Sequence, residues 1–185
     1  MKHFAKVAVA ALVMSIAATY AHAQMQAPTP GPELKKLDYF LGDWKFDANM
    51  KPGPNIPGGK YISTDHAEWF EGRFFLVNHG KFTSPSGSGT EAQVYGYDAT
   101  AKVYTFDSFN SFGEHSVSKG RLDGDTWTWM SEGNAGGRTF KTRFVEKIDS
   151  DNSYHFTFEM SPDGTSWTTV MDGTATRVSA GGKQN

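Results

Sequence analysis

Residues 138–160 read RTFKTRFVEKIDSDNSYHFTFEM, and the alternation in this stretch decides the fold. Phe140, Thr142 and Phe144 alternate with Lys141, Arg143 and Lys147 up to a turn at Asp149-Ser150-Asp151, after which Tyr154, Phe156, Phe158 and Met160 alternate with His155 and Glu159. A period of two sends successive side chains to opposite faces of a strand. Folding the segment at that turn brings both apolar rows onto one face and the charged rows onto the other, so register and burial agree. One face is core and the other is solvated.

The pattern extends in both directions. Downstream, a turn over Ser161–Thr165 carries Trp167, Thr169 and Met171 onto the core face, with Met160 opposite Trp167 and Gly173 opposite Tyr154. Upstream, a hairpin at Asp123-Gly124 sets Trp127 against Gly120 and Trp129 against Ser118, large facing small. His115, Lys119, Arg121, Thr126, Thr128 and Glu132 then point outward. The spacing predicts strands over residues 43–48, 60–70, 73–82, 91–98, 102–110, 115–122, 125–132, 138–148, 152–161 and 166–177. Turn chemistry separates them, including Glu71-Gly72 and Ser161-Pro162-Asp163-Gly164, and connections this short force antiparallel neighbours. The expected class is all-β: about ten strands in an antiparallel up-and-down barrel.

Ahead of the strands, Leu34, Leu37 and Leu41 follow Pro32 and stop at Gly42, which predicts one short N-terminal helix of two turns. Further upstream, Lys2 and Lys6 precede an apolar run from Val7 to about Tyr20, and Ala21-His22-Ala23 offers small residues at the −3 and −1 positions of a cut before Gln24. This is a signal-peptide pattern. The apolar run is short of the roughly 20 residues that span a bilayer, so no stable membrane anchor is expected. The predicted organisation is a signal peptide (1–23), an extended leader (24–32), a single β-barrel domain (33–178) and a flexible tail (179–185). Export implies a periplasmic or secreted location.

The chain has no cysteine, which removes disulfides, thiolate metal sites and thiol nucleophiles. Without Lys2 and Lys6, 16 basic residues face 20 acidic ones, a charge of −4 with no basic run. Nucleic acid is an unlikely partner on that balance, and no partner protein is indicated. Aromatic residues make up 14% of the chain, and an aromatic stripe running around many strands either fills a small barrel or lines a cavity.

Leu41-Gly42-Asp43-Trp44 after a short helix is similar to the Gly-x-Trp opening of lipocalin-like and fatty-acid-binding-like barrels. Together with Thr64-Asp65-His66-Ala67-Glu68-Trp69, Gly96-Tyr97-Asp98, Phe109-Asn110-Ser111-Phe112-Gly113 and Met160-Ser161-Pro162-Asp163-Gly164, it resembles the bacterial domain of unknown function 1579 family over about Pro30 to Arg177. The resemblance implies a lipocalin-like barrel and a bacterial owner, and no activity. A single histidine ligates haem in the related nitrobindin-type barrels, but Phe46 and Ala48 stand where their Gly-x-Trp-x-Gly-x-Gly signature requires glycine. No cofactor is expected.

The leading expectation is a binding module that holds a small apolar or aromatic ligand. Its candidate binding residues are Trp44, Phe46, Asp65, Trp69, Asn78, Phe106, Ser108, Trp129, Phe144, Phe158 and Met171. Setting Tyr61, Ala67, Trp69, Phe74, Leu76 and Phe82 inward carries Asp65 and Asn78 inside, where a buried Asp needs hydrogen-bond partners or a raised pKa. If Phe70 pairs with Arg73 across Glu71-Gly72, His66, Glu68 and His79 share the other face, with His79 diagonal to His66 and within reach of a shared ion; the aromatic face matches the interior better and leaves these three facing water, so no metal is expected. Two alternatives stand beside the binding module: an enzyme using Asp65 or His66 as general base, and a structural barrel filled by its own aromatics. The Ser84–Gly89 run reads as a flexible hairpin loop, since no helix follows it as a phosphate cradle requires. No Gly-x-Ser-x-Gly elbow supports a serine triad. The Gly- and Pro-rich stretches 49–59 and 133–137 are candidate gates at one mouth.

Overall fold

The structure, a computed structural model, describes residues 28–53 and 57–178. The expected signal peptide, tail, first part of the leader and centre of the 49–59 loop lie outside the described residues. Ten antiparallel strands form a closed barrel: β1 (Gly42–Met50), β2 (Gly59–Trp69), β3 (Leu76–Ser84), β4 (Gly87–Asp98), β5 (Val103–Asn110), β6 (His115–Asp123), β7 (Thr126–Ala135), β8 (Arg138–Ser150), β9 (Ser153–Ser161) and β10 (Thr168–Arg177). Each strand pairs with its sequence neighbours. β1 also pairs with β10 from Trp44↔Arg177 to Met50↔Met171, which closes the ring and leaves no free sheet edge.

The short helix is a 3₁₀ helix over Pro32–Phe40 rather than an α-helix. Its buried residues are Leu34, Leu37 and Phe40, spaced by three, which is the 3₁₀ period; Leu41, which an α-helical period selects, is only partly buried. This apolar edge enters the lower end of the barrel. There Phe40 meets Tyr154 edge-on at 5.9 Å and Trp127 at 5.6 Å. Trp44 Nε1 donates to Phe40 O at 2.9 Å, Tyr104 OH to Glu33 O at 3.1 Å, and Trp69 Nε1 to Asp38 Oδ1 at 2.7 Å. Arg177 lies over the Trp44 ring at 4.4 Å and donates to the carbonyls of Leu41 and Tyr39, satisfying acceptors that the end of a helix leaves open.

Inward and outward faces agree with the sequence reading on β2 to β9, but three registers differ. The β6–β7 turn is Gly124-Asp125, so Trp129 faces Gly120 and Trp127 faces Leu122, two residues from the predicted pairs. The β2–β3 connection spans residues 70–75, with Phe70 N bonded to Phe75 O and Arg73 at φ 58°, so β3 starts at Leu76 and His79 lies directly opposite His66 rather than diagonal to it. β10 carries a bulge between Thr169 and Met171. Thr168, not Trp167, therefore pairs with Met160; Gly173 lies opposite Phe156 and Ala175 opposite Tyr154. Thr169 pairs with outward Glu159, and Trp167 stacks outside on Arg143 at 4.3 Å. Residues 87–89, expected in a loop, extend β4 against Phe82–Ser84 around a two-residue turn.

Small residues make room for the rings. A Cβ on Gly120 would lie 2.2 Å from Trp129 Cε3, and one on Gly173 would lie 2.5 Å from Ala48 Cβ. Gly120→Val is expected to cost about 1–3 kcal/mol in urea denaturation, since overpacking forces the indole off its rotamer. Stability equal to wild type would show that Trp129 does not rest on this glycine.

Candidate functional site

Above the helix plug, side chains fill the barrel in layers. Trp127, fully buried, stacks parallel on Trp129 at 5.4 Å, and Trp129 meets Tyr95 and Phe106 in the next layer up. Beyond this floor lies a cavity of about 690 Å³ that reaches the end of the barrel opposite the helix. The β5–β6, β7–β8 and β9–β10 connections border that end, as do residues 51–53 and 57–58 between β1 and β2. The volume falls in the range of small-molecule sites, roughly 300–1,000 Å³, so the barrel is not filled by its own aromatics.

Phe46, Asp65, Phe106, Ser108, Trp129, Phe144, Phe158 and Met171 line the cavity, as expected from face and period. Trp44, Trp69 and Asn78 point inward but do not reach it. Trp44 and Trp69 hold the helix from below, and Asn78 lies behind the wall, with its amide donating to Asp65 Oδ2 at 2.6 Å and to Gln93 Oε1 at 2.7 Å. His66, Glu68 and His79 are exposed on the outer face, where His66 Nδ1 sits 2.7 Å from Asp43 Oδ1. His66 is therefore not a base inside the cavity. Among the described residues no three metal-ligating side chains converge.

The cavity also holds polar residues that the sequence reading passed over: Glu91, Gln93 and Glu146. Gly80 sits in register between Asp65 on β2 and Glu91 on β4, and a Cβ there would lie 2.8 Å from Asp65 Oδ1 and 2.9 Å from Glu91 Cγ. The glycine thus makes space for two carboxyl groups to lean together. Ser63 Oγ lies between them, in close contact with Asp65 Oδ1 and 3.3 Å from Glu91 Oε1. One hydroxyl proton cannot serve both acceptors at once, so a proton on one of the two carboxyls would satisfy the other contact. Tyr61 OH and Gln93 Nε2 donate to the two Glu91 oxygens, each at 3.2 Å.

Glu146 stands apart, on the floor, with Trp127 and Phe156 as its cross-strand neighbours. It is 1% exposed and accepts Trp129 Nε1 at 2.8 Å. Burial pushes its carboxyl up to about 7 against the opposing hydrogen bonds of Trp129 and Tyr154. Burial, with the nearby Asp65 charge, also raises Glu91 to about 7, and burial raises Asp65 against the donors Ser63 and Asn78. All three groups favour the neutral form in the folded state.

The sign of the pH dependence follows. Well below about pH 4.5 Glu91 and Glu146 are protonated whether folded or unfolded; between there and about 7 the folded state holds more protons at these two groups, so stability falls as pH rises and then levels off. For Glu146 alone the shift corresponds to about 3 kcal/mol. Urea denaturation at about pH 5 and about pH 8 is expected to give greater stability at the lower pH, with much of the difference removed in Glu146→Gln. An unchanged pH profile in that variant would show that Glu146 is ionised in the fold at both pH values.

A family model described as a protein of unknown function (DUF1579) matches residues 29–177, and the chain belongs to that family. The crystal structure of Rv2717c from M. tuberculosis is similar in fold, with a TM-score of 0.56 at 15% sequence identity over 80% of this chain and 99% of that one. No curated protein matches the sequence.

Proposed function

We propose that this member of the DUF1579 family is an exported barrel that binds a small apolar or aromatic molecule in its interior. The observation that carries the reading is the cavity of about 690 Å³, closed at one end by the helix and walled by Phe46, Phe106, Trp129, Phe144, Phe158 and Met171. An apolar guest there covers roughly 25 cal/mol of favourable transfer per Å² of its surface, and the strands that present the wall are fixed by the closed ladder. The basic-then-apolar start and the Ala21-His22-Ala23 site support a periplasmic or secreted location.

Two measurements test the reading. Native mass spectrometry of the mature protein, isolated from its own host without refolding, is expected to show an added mass that denaturation releases. Nile red, a neutral apolar dye, is expected to brighten on mixing with ligand-free protein. Ser108→Trp, which puts an indole into the cavity, is expected to abolish that response, and His66→Ala on the outer wall to leave it unchanged. Absence of any guest together with failure of the dye to bind would sink the proposal.

A second reading is favoured by one observation, the sharing of Ser63 between Asp65 and Glu91, which places a proton-exchanging carboxyl pair in the wall. In that case the released guest is converted to a species of different mass by wild-type protein and left intact by Asp65→Asn. Equal conversion by both excludes Asp65 as the base.

A further inference from the structure

Resting on the reading of the cavity as a ligand site, we propose that its ligand is an organic cation: an apolar or aromatic body that carries a protonated amine. Asp65, Glu91 and Glu146 line the inner cavity, Glu114 lies among the residues nearer its mouth, and no lysine or arginine is found among the described lining residues. The basic residues of the flanking strands, such as Lys81, Lys119 and Arg143, lie on the opposite parity and face outward. An anionic guest such as a fatty acid would bring one more acid against these three with no lysine or arginine beside it, whereas a cationic guest gains a partner in whichever of them ionises.

The hydrogen-bonding inventory points the same way. Several donors of the inner wall are directed at the carboxyls, Tyr61 OH and Gln93 Nε2 at Glu91 and Trp129 Nε1 at Glu146, while Ser108 and Ser118 add hydroxyls that donate or accept and the buried Trp127 Nε1 below them has no partner. Once ionised, each carboxylate offers about four lone-pair sites, more than these donors fill. One acceptor behind this wall has no partner at all: Asn78, only 5% exposed, has its Oδ1 buried and unpaired beside the Asp65 and Gln93 side chains that line the cavity. Turning the amide over would not help it, because the oxygen would then face Asp65 Oδ2 and Gln93 Oε1. A surplus of buried acceptors is matched by a group rich in N–H donors, and an ammonium brings three with a positive charge. The surrounding aromatic faces favour the same charge through cation–π attraction.

Three probes of one shape separate the possibilities: naphthylmethylamine, naphthylmethanol and naphthoate, a cation, a neutral alcohol and an anion. They are titrated at neutral pH into the folded mature protein, with binding followed by tryptophan fluorescence and by calorimetry. The amine is expected to bind about tenfold or more tightly than the alcohol, a difference of about 1.4 kcal/mol, and the anion most weakly. Glu146→Gln and Glu91→Gln are expected to erase that preference, with near-ultraviolet circular dichroism reporting that the variants fold and His66→Ala on the outer wall keeping the preference of the wild type. An amine that binds no better than the alcohol, or a preference unchanged in both variants, overturns the inference and leaves the apolar binding site standing. Failure of all three probes to bind overturns both.

Discussion

Everything above the lower end of the barrel depends on the way that end is stopped. The 3₁₀ helix inserts Leu34, Leu37 and Phe40, and Arg177 holds its end by covering the Trp44 ring and bonding the last carbonyls. Arg177 belongs to the strand that closes the ladder against β1, so ring closure and plug are secured by one side chain. A ten-stranded barrel has more interior than its own wall residues fill. With the plug and the Trp127–Trp129 stack filling the lower part, the cavity is confined to the upper part and reaches the end opposite the helix.

Confinement changes the cost of polar groups. A carboxyl at the open rim keeps its hydration, whereas Glu146 between Trp127 and Phe156 has the Trp129 indole and Tyr154 in place of water. The tyrosines behave in the same way: burial pushes Tyr39 up to about 12 against the lowering charge of Arg177, and burial followed by the Glu146 charge raises Tyr95 and Tyr154 well above their ordinary value. Among the described residues no lysine or arginine lines the cavity beside Glu146, Glu91 and Asp65. The result is an interior that is apolar by area and acidic by charge, a combination that the hydrophobic pattern alone does not reveal.

Parity was legible in the sequence; depth was not. A period of two assigns each residue to a face, and this placed Asp65, Tyr95, Phe106 and Trp129 inside. The same period carries Glu91 and Gln93 inward with Tyr95, and Glu146 inward with Phe144, yet a reading that gathers aromatic residues passes over charged residues in the row. Gly80, small and flanked in register by two acids, is the local signal that could have flagged the Asp65–Glu91 pair. Height along the barrel has no counterpart in alternation, which is why Trp44, Trp69 and Asn78 share the inner face without reaching the cavity. The register errors are each a matter of turn size or bulge. A turn shifted by one residue moves the pairs by two and preserves the faces, as at Trp129. The bulge on β10 inverts them beyond it, which carries Trp167 outside.

Glu146 is the residue that stability alone does not account for. Its carboxyl costs about 3 kcal/mol near neutral pH relative to an exposed one, whereas a methionine or leucine of similar volume among Trp127, Trp129 and Phe156 carries no such penalty. The Trp129 hydrogen bond returns part of that cost but does not require an acid, because a glutamine oxygen accepts the same N–H. What distinguishes a carboxylate from an amide at this place is charge, and charge acts on whatever enters from the open end. The physical case for a cation in the cavity and the physical cost of the empty cavity are thus two sides of one arrangement: the group that weakens the fold at neutral pH is the group a positively charged guest would relieve.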